Sequence, residues 1–278
     1  MQHKITSTKR VKVRVTALQT DIKWAQRKAN QEVAESMIAS CPQSDLYVLP
    51  EMWATGFTMK PQEHAEDLLQ AGNSLEWMQQ MSQHFNCAIC GSLAISDNGK
   101  FFNRLYFVTP TGSITAYDKH HLFAYGHENI YYQAGSKRII ATWKGMHFLL
   151  ATCYDLRFPV WLRNKRNDYD AIIVVANWPR SRQNAWQILL RARAIENQCY
   201  IIGVNRVGTD LFCTYAGGTA IIDAKGHTIA QALFNTPDAI SANIKKEELI
   251  QFRNRFPVWA DSDEFCWQRS MPPTKEQN

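Results

Sequence analysis

Three side chains with catalytic chemistry stand where predicted strands end. In "VLPEMWATGF" Glu51 follows a short buried strand, in "AYDKHHLF" Lys119 lies just past another, and in "LLATCYDLRFP" Cys153 closes a hydrophobic run and is followed at once by Tyr, Asp and, after Leu, Arg. A structural thiol usually sits inside such a run as a small hydrophobe. Cys153 therefore reads either as filler at the end of a strand or as a nucleophile. A carboxylate just past a buried strand is costly unless it is paired or at the surface, so Glu51 reads as a solvated loop acid, a helix-capping partner or a base. Lys119, taken singly, reads as a surface charge at a strand end.

The partner of a nucleophilic Cys153 is open at this level. His120 and His121 suggest a cysteine–histidine dyad, although adjacent histidines on a strand point opposite ways. They lack other ligands at metal-binding spacing. A helix starting near Pro159 would put the sulfur at the positive end of a helix dipole, which favours thiolate, and Arg157 would add positive potential. Cys41, Cys199, Cys213 and Cys266 lack such surroundings and read as core or surface filler. Cys87 and Cys90 have CxxC spacing in "NCAICGS", but the segment reads as extended, where residues three apart face opposite sides. A redox or metal pair is not expected there.

Around these residues the chain alternates strand and helix patterns over its first two-thirds. "VKVRVTALQ" and "DLYVLPE" read as strands, and Trp24 to Ser40 and Ser74 to Phe85 as helices. "CAICGSLAI" returns as strand and turns through Asn98-Gly99, a strong hairpin signal, into "FFNRLYFVTP" and then "SITAYDK". A second hairpin joins "KRIIATW" to "MHFLLATC" through Lys144-Gly145. "YDAIIVVANW" reads as a buried strand. Gln183 to Gln198 reads as the longest helix, with Ala185, Ile188, Leu189, Ala192 and Ile195 as its apolar stripe. "CYIIGVNRVG", "GGTAIIDAKG", "HTIAQAL" and "AISANI" complete the sheets; the stretch after Lys245 reads as polar and aromatic, and "PPTKEQN" is expected to fray. No repeat or composition shift marks a boundary, so one domain is expected over residues 1–278, with a core of about residues 11–267. Sheets packed face to face with helices outside follow from hairpins plus amphipathic helices.

Composition narrows the class. The hydrophobic share of 45% and charged share of 20% are those of a globular protein, and no apolar run reaches the roughly 18 residues of a membrane span. The basic start "MQHKITSTKRVKVRV" has no apolar core or cleavage site behind it, so it reads as a lead-in rather than a signal, and a cytoplasmic location is expected. Seven cysteines without a signal peptide read as free thiols in a reducing compartment. The formal net charge of +6 is scattered, without a basic patch interleaved with aromatics. It suits attraction of acidic small molecules better than nucleic acid.

Taken in order, these motifs resemble those of the nitrilase superfamily, the carbon–nitrogen hydrolases that work with Glu, Lys and Cys. "LPEMWATGF" is similar to the glutamate motif, "YDKHHLF" to the lysine motif and "CYDLRFP" to the nucleophile motif. "YGHENIYYQAG" supplies a further acid, Glu128. "VVANWP", "RARAIENQCYIIGVNRVG" and "GGTAIIDAKG" extend the likeness from about Val11 to Trp267, while Thr219 stands where serine is frequent and "FAYGHEN" departs from commoner loops. "CYDLRFPVW", "NDYDAIIVVANWP" and "RFPVWADSDEF" resemble the omega-amidase branch most. The resemblance implies a four-layer α-β-β-α sandwich of two mixed sheets with outer helices, dimeric or larger through a helical face. It implies that Glu51, not a histidine, is the base, that Lys119 stabilises the oxyanion with the Tyr154 N–H, and that Glu128 holds Lys119. Tyr154, Arg157 and Trp178 become the pocket residues, without metal or organic cofactor. The implied substrates are terminal amides of short dicarboxylic or 2-oxo acids such as 2-oxoglutaramate. Another amidase, a carbamoylase, a nitrilase or a noncatalytic relative are the alternatives.

Overall fold

The computed structural model describes residues 11–266; the expected lead-in and "PPTKEQN", expected to fray, lie outside the described residues. Strands β1 (Lys12–Gln19), β2 (Leu46–Val48), β3 (Glu66–Asp67), β4 (Ala88–Asp97), β5 (Lys100–Val108) and β6 (Ile114–Asp118) form one sheet, completed by the last strand, β15 (Asp238–Lys245). A second sheet contains β7 (Ile140–Trp143), β8 (Met146–Thr152), β9 (Ala171–Ala176), β10 (Tyr200–Asn205), β13 (Ala220–Ile222) and β14 (Thr228–Gln231). Between β10 and β13 the chain makes a separate hairpin of β11 (Val207–Thr209) and β12 (Thr214–Ala216).

Each large sheet has a parallel centre, β1-β2-β4 in one and β8-β9-β10 in the other, flanked by antiparallel strands. Parallel strands are covered on both faces, which is why "AIIVVA" in β9 is buried at every position. Both expected hairpins turn where left-handed backbone is required: Asn98 and Gly99 have φ of 50° and 72°, and Lys144 and Gly145 have 46° and 80°. These are the signs of a two-residue turn matched to strand twist.

Helices α1 (Arg27–Ser40) and α3 (Ser74–His84) cover the first sheet; α2 (Pro61–His64), α4 (Glu128–Tyr131) and α5 (Pro159–Leu162) are single turns. Asn73 caps α3 by accepting from the Glu76 N–H at 2.9 Å, leaving one less unpaired amide at the helix start. On the far side, α6 (Gln183–Asn197) packs on the second sheet, its Leu190 against Gly203 of β10, and α7 (Lys246–Arg255) follows β15. The two sheets meet in the middle, where Phe107 of β5 stacks on Phe148 of β8 with centroids 5.7 Å apart. The result is the four-layer α-β-β-α sandwich. Cys87 joins the cluster under α1 and α3, whereas Cys90 faces the layer between the sheets, so the CxxC sulfurs diverge.

Two expectations need correction. The buried face of α6 is Trp186, Leu190, Arg193, Ala194 and Asn197, while Ile188 and Ile195 are each 55% exposed. Polar members of the true face are buried because they pin loops. Arg193 donates to the Leu156 carbonyl at 3.0 and 2.8 Å, and Asn197 Oδ1 accepts from the Asn164 N–H. Apolar periodicity alone cannot see such a face. The segment after Lys245, read only as polar and aromatic, contains helix α7, whose buried side holds Leu249 and Arg253.

Candidate active site

Glu51, Lys119 and Cys153 each lie within three residues of a strand end, on β2, β6 and β8 respectively. Parallel centres put several carboxyl ends at one edge, where open α/β sheets gather their sites. Glu51, Lys119 and Glu128 are all fully buried. Lys119 Nζ donates to Glu51 Oε1 at 2.9 Å and to both oxygens of Glu128, at 2.8 and 3.1 Å. Asn103, in the middle of β5, donates to Glu51 Oε1 at 2.8 Å and to Glu128 Oε1 at 3.0 Å. Its own carbonyl accepts from Ser92 of β4 at 2.9 Å. From the opposite sheet, Asn177, just past β9, donates its N–H to Glu51 Oε2 at 2.8 Å and its side-chain amide to the Glu51 carbonyl at 2.6 Å. The Phe123 N–H donates to Glu128 Oε2 at 2.7 Å. Glu51 is thus fixed from both sheets.

The electrostatics follow from this packing. Burial pushes the Lys119 ammonium down, but the carboxylates of Glu128 and Glu51 more than offset it, and Lys119 holds its proton more tightly than an ordinary lysine. Burial raises the Glu128 carboxyl, against the pull of Lys119. The Cys153 thiol is pushed well above its usual value, first by burial, then by the Glu51 charge, with a hydrogen bond to Glu51 adding to it and Lys119 opposing. This overturns the expectation of a helix-stabilised thiolate. After Cys153 comes one 3₁₀ turn, Cys153–Arg157, and then only the four residues of α5, too short for a substantial dipole. Burial and the neighbouring Glu51 carboxylate both favour the thiol form of the sulfur.

Backbone strain gathers here. Met52, His127 and Cys153 have φ of 43°, 62° and 47°, a region that costs non-glycine residues of order 1–3 kcal/mol each. They adjoin or are the proposed functional residues. The Cys153 turn is held by Asp155, whose carboxylate accepts from the Thr152 N–H, the His121 N–H and the Tyr117 hydroxyl at 2.9, 2.9 and 2.7 Å. His121 Nδ1 lies 2.9 Å from the same carboxylate, and its ring stacks on Phe158. His120 Nδ1 lies 2.6 Å from the Gly135 carbonyl and its ring stacks on Trp161. Both histidines are engaged in supporting the turn, and among the described residues neither hydrogen-bonds to Cys153.

In front of the sulfur lies a cavity of about 390 Å³ with aromatic walls, among them Phe57, Phe123, Tyr154 and Trp178. Arg157 also lines it, with its guanidinium 4.9 Å from the Trp178 ring centre. Cys213, read from sequence as filler, is on the wall too, brought there by the β11–β12 hairpin. Among the described residues no group of three or more His, Cys, Asp or Glu side chains could hold a metal ion.

Comparison with known proteins gives the family. Residues 14–254 match the carbon–nitrogen hydrolase family. The chain belongs to that family. The hydrolase is 41% identical to "Omega-amidase YafV" of Escherichia coli over 91% of this chain and 98% of that protein. It is 31% identical to "2-oxoglutaramate amidase" of Bacillus subtilis over 89% and 96% of the two chains. Among solved structures it is similar to XC1258 from Xanthomonas campestris, a CN-hydrolase superfamily protein with an arsenic adduct in the active site. That likeness has a TM-score of 0.89 at 36% identity and covers 92% of this chain and 99% of the other. The hydrolase therefore acts on carbon–nitrogen bonds other than peptide bonds, and the family works through a cysteine.

Sequence reasoning passed over Asn103, Asn177 and Asp155 in this hydrolase. Each left a signal. Asn103 interrupts "FFNRLYF", where asparagine is depleted from strand interiors. Asn177 follows a fully buried strand at once, and Asp155 sits two residues past the sulfur.

Proposed function

We propose that this hydrolase releases ammonia from the terminal amide of short dicarboxylic or 2-oxo acids, such as 2-oxoglutaramate, through a thioester on Cys153. The observation that carries this reading is Cys153 beside Glu51, whose carboxylate is tied to the Lys119 ammonium at 2.9 Å and fixed from the second sheet by the Asn177 N–H at 2.8 Å. Glu51 takes the thiol proton as sulfur attacks the amide carbon. The carbonyl oxygen, now negative, is met by Lys119 and the Tyr154 N–H. When the C–N bond breaks, Glu51 returns the proton to the departing ammonia, leaving the acyl group on sulfur. Glu51 then takes a proton from water, whose oxygen attacks the thioester carbon and displaces sulfur as the free acid forms, and Glu51 returns that proton to the departing sulfur. Glu128 and Asn103 keep Lys119 in register, while Tyr154, Arg157 and Trp178 form the pocket, Arg157 facing the substrate acid. A positioned base contributes about 10²–10⁴-fold and one oxyanion donor about 10²–10³-fold.

The reading extends to the whole chain as one carbon–nitrogen hydrolase domain, cytoplasmic, and a homodimer or larger assembly through a helical face. No helix among the described residues is long and apolar enough to cross a membrane. The test compares ammonia release from 2-oxoglutaramate with that from a nitrile and an N-carbamoyl amino acid. Intact mass after rapid quench should show the acyl adduct on the parent and none on Cys153→Ala. Turnover confined to the nitrile or carbamoyl compound would move the protein to another branch, and no adduct with any of them would make it a noncatalytic relative.

A further inference from the structure

The cavity before Cys153 holds a second arginine with no acid to pair with. Arg182 lines the wall as Arg157 does, and its guanidinium lies 5.2 Å from the centre of the Phe123 ring. Among the described residues neither Arg157 nor Arg182 makes an ion pair or a side-chain hydrogen bond; each rests only on an aromatic face. The one acid among the lining residues, Asp210, is already engaged. Its carboxylate accepts from the N–H groups of Phe212 and Cys213, from the Tyr215 hydroxyl and from the buried Arg206.

Two guanidiniums on apolar walls with unused N–H edges are a mismatch that an anionic ligand corrects. Stacking on a ring fixes the plane of the guanidinium and leaves its forked edge for a carboxylate, which it meets with two charge-assisted bonds. Arg182 is also tied to the reacting groups from two directions. Its carbonyl accepts from Trp178 Nε1 at 2.8 Å, and Trp178 is the plate under Arg157. Phe123, the plate under Arg182, is held through its N–H by Glu128.

We propose that Arg182 acts with Arg157 as a two-pronged clamp on the anionic end of the substrate and sets the preference for amides that carry a free carboxylate. The inference rests on the amidase reading above and adds Arg182 as the residue that sorts charged from neutral amides. With a 2-oxo acid, the adjacent carbonyl and carboxylate oxygens give each prong an acceptor. With a simple dicarboxylate monoamide, the carboxylate alone engages the pair.

The experiment has a kinetic arm and a binding arm. In the first, kcat/KM is measured for glutaramate and for 5-methylhexanamide, in which an isopropyl group replaces the carboxylate. Arg182→Gln should lower the ratio of the two values at least about tenfold, chiefly through KM, the loss expected when charge-assisted bonds are removed. Arg182→Lys, which keeps charge without the fork, should recover part of it. In the second arm, glutarate is titrated calorimetrically into Cys153→Ala and Cys153→Ala/Arg182→Gln, with near-ultraviolet circular dichroism to verify the fold. The double variant should bind at least about tenfold more weakly. An unchanged ratio together with unchanged glutarate affinity would overturn the clamp. Weaker glutarate binding by the double variant, with a parent that hydrolyses neither these amides nor 2-oxoglutaramate, would sink the amidase reading and leave the clamp standing.

Discussion

Lys119 is one cation shared by two buried carboxylates, and that ratio makes the residues unequal targets. Deleting Lys119 strands Glu51 and Glu128 against each other without water. Breaking a buried ionic group this way costs about 3–5 kcal/mol, so Lys119→Ala should unfold at clearly lower urea concentration as well as lose activity. Glu51→Gln is the cleaner probe because it preserves shape. Amide hydrolysis should fall about 10²–10⁴-fold. The thiol should respond the other way. The Glu51 charge raises the Cys153 thiol, so removing that charge lowers it and enlarges the thiolate fraction at any pH below the parent's value. Iodoacetamide should therefore alkylate Cys153 faster in Glu51→Gln than in the parent at pH 8, read by peptide mapping because Cys41, Cys213 and Cys266 also have some exposure. Slower alkylation in the variant would mean that Glu51 does not hold the sulfur as thiol.

At the scale of elements, the turn after β8 is the part whose geometry is bought by its neighbours. Cys153 has positive φ without being glycine, and the Asp155 carboxylate ties that turn to β6 through Tyr117 and to the chain after Lys119 through His121. Asp155→Asn replaces one acceptor oxygen by a donor facing other donors. Stability should drop by about 1–3 kcal/mol, and kcat should fall more than KM rises, with the thiol's alkylation profile against pH displaced. A variant with lowered stability but parental kcat and profile would confine Asp155 to scaffolding. The strands that carry Glu51, Lys119 and Cys153 were legible because a strand pattern ending at a reactive group is a one-dimensional signal. The Asn98-Gly99 and Lys144-Gly145 turns were legible for the same reason. Asn103 and Asn177 were not, since their importance comes from contacts between strands and between sheets. Nor was the 3₁₀ turn at Cys153: Pro159 announces a helical start, but nothing in "CYDLRFPVW" states that it stops after four residues. The true inner face of α6 was hidden because Arg193 and Asn197 are polar.

The misread stripe of α6 becomes informative for the molecule as a whole. Ile188 and Ile195 are seven residues apart, two turns and about 10 Å along one side of the helix, and each is 55% exposed. The inner side of α6 is already satisfied by Trp186, Leu190 and Ala194 on the second sheet, and although Ile195 also touches Gly226, more than half of each isoleucine side chain is left open. An apolar side on an outer helix suits a two-fold contact, in which the same patch meets itself and each residue faces a counterpart across the axis. A dimer so formed would bury the helical layer and leave the opposite layer, α1 and α3, to solvent. Ile188→Asp/Ile195→Asp should shift sedimentation velocity from dimer to monomer at tens of micromolar, because like charges then oppose one another across the axis. Ile229→Asp, a comparable change on β14 at 44% exposure, should leave the parental assembly intact. The melting temperature of the parent should rise with protein concentration, as it must when association is linked to folding, and that of the double variant should not. A parent that sediments as a monomer, or a double variant that stays dimeric, would remove α6 from the interface.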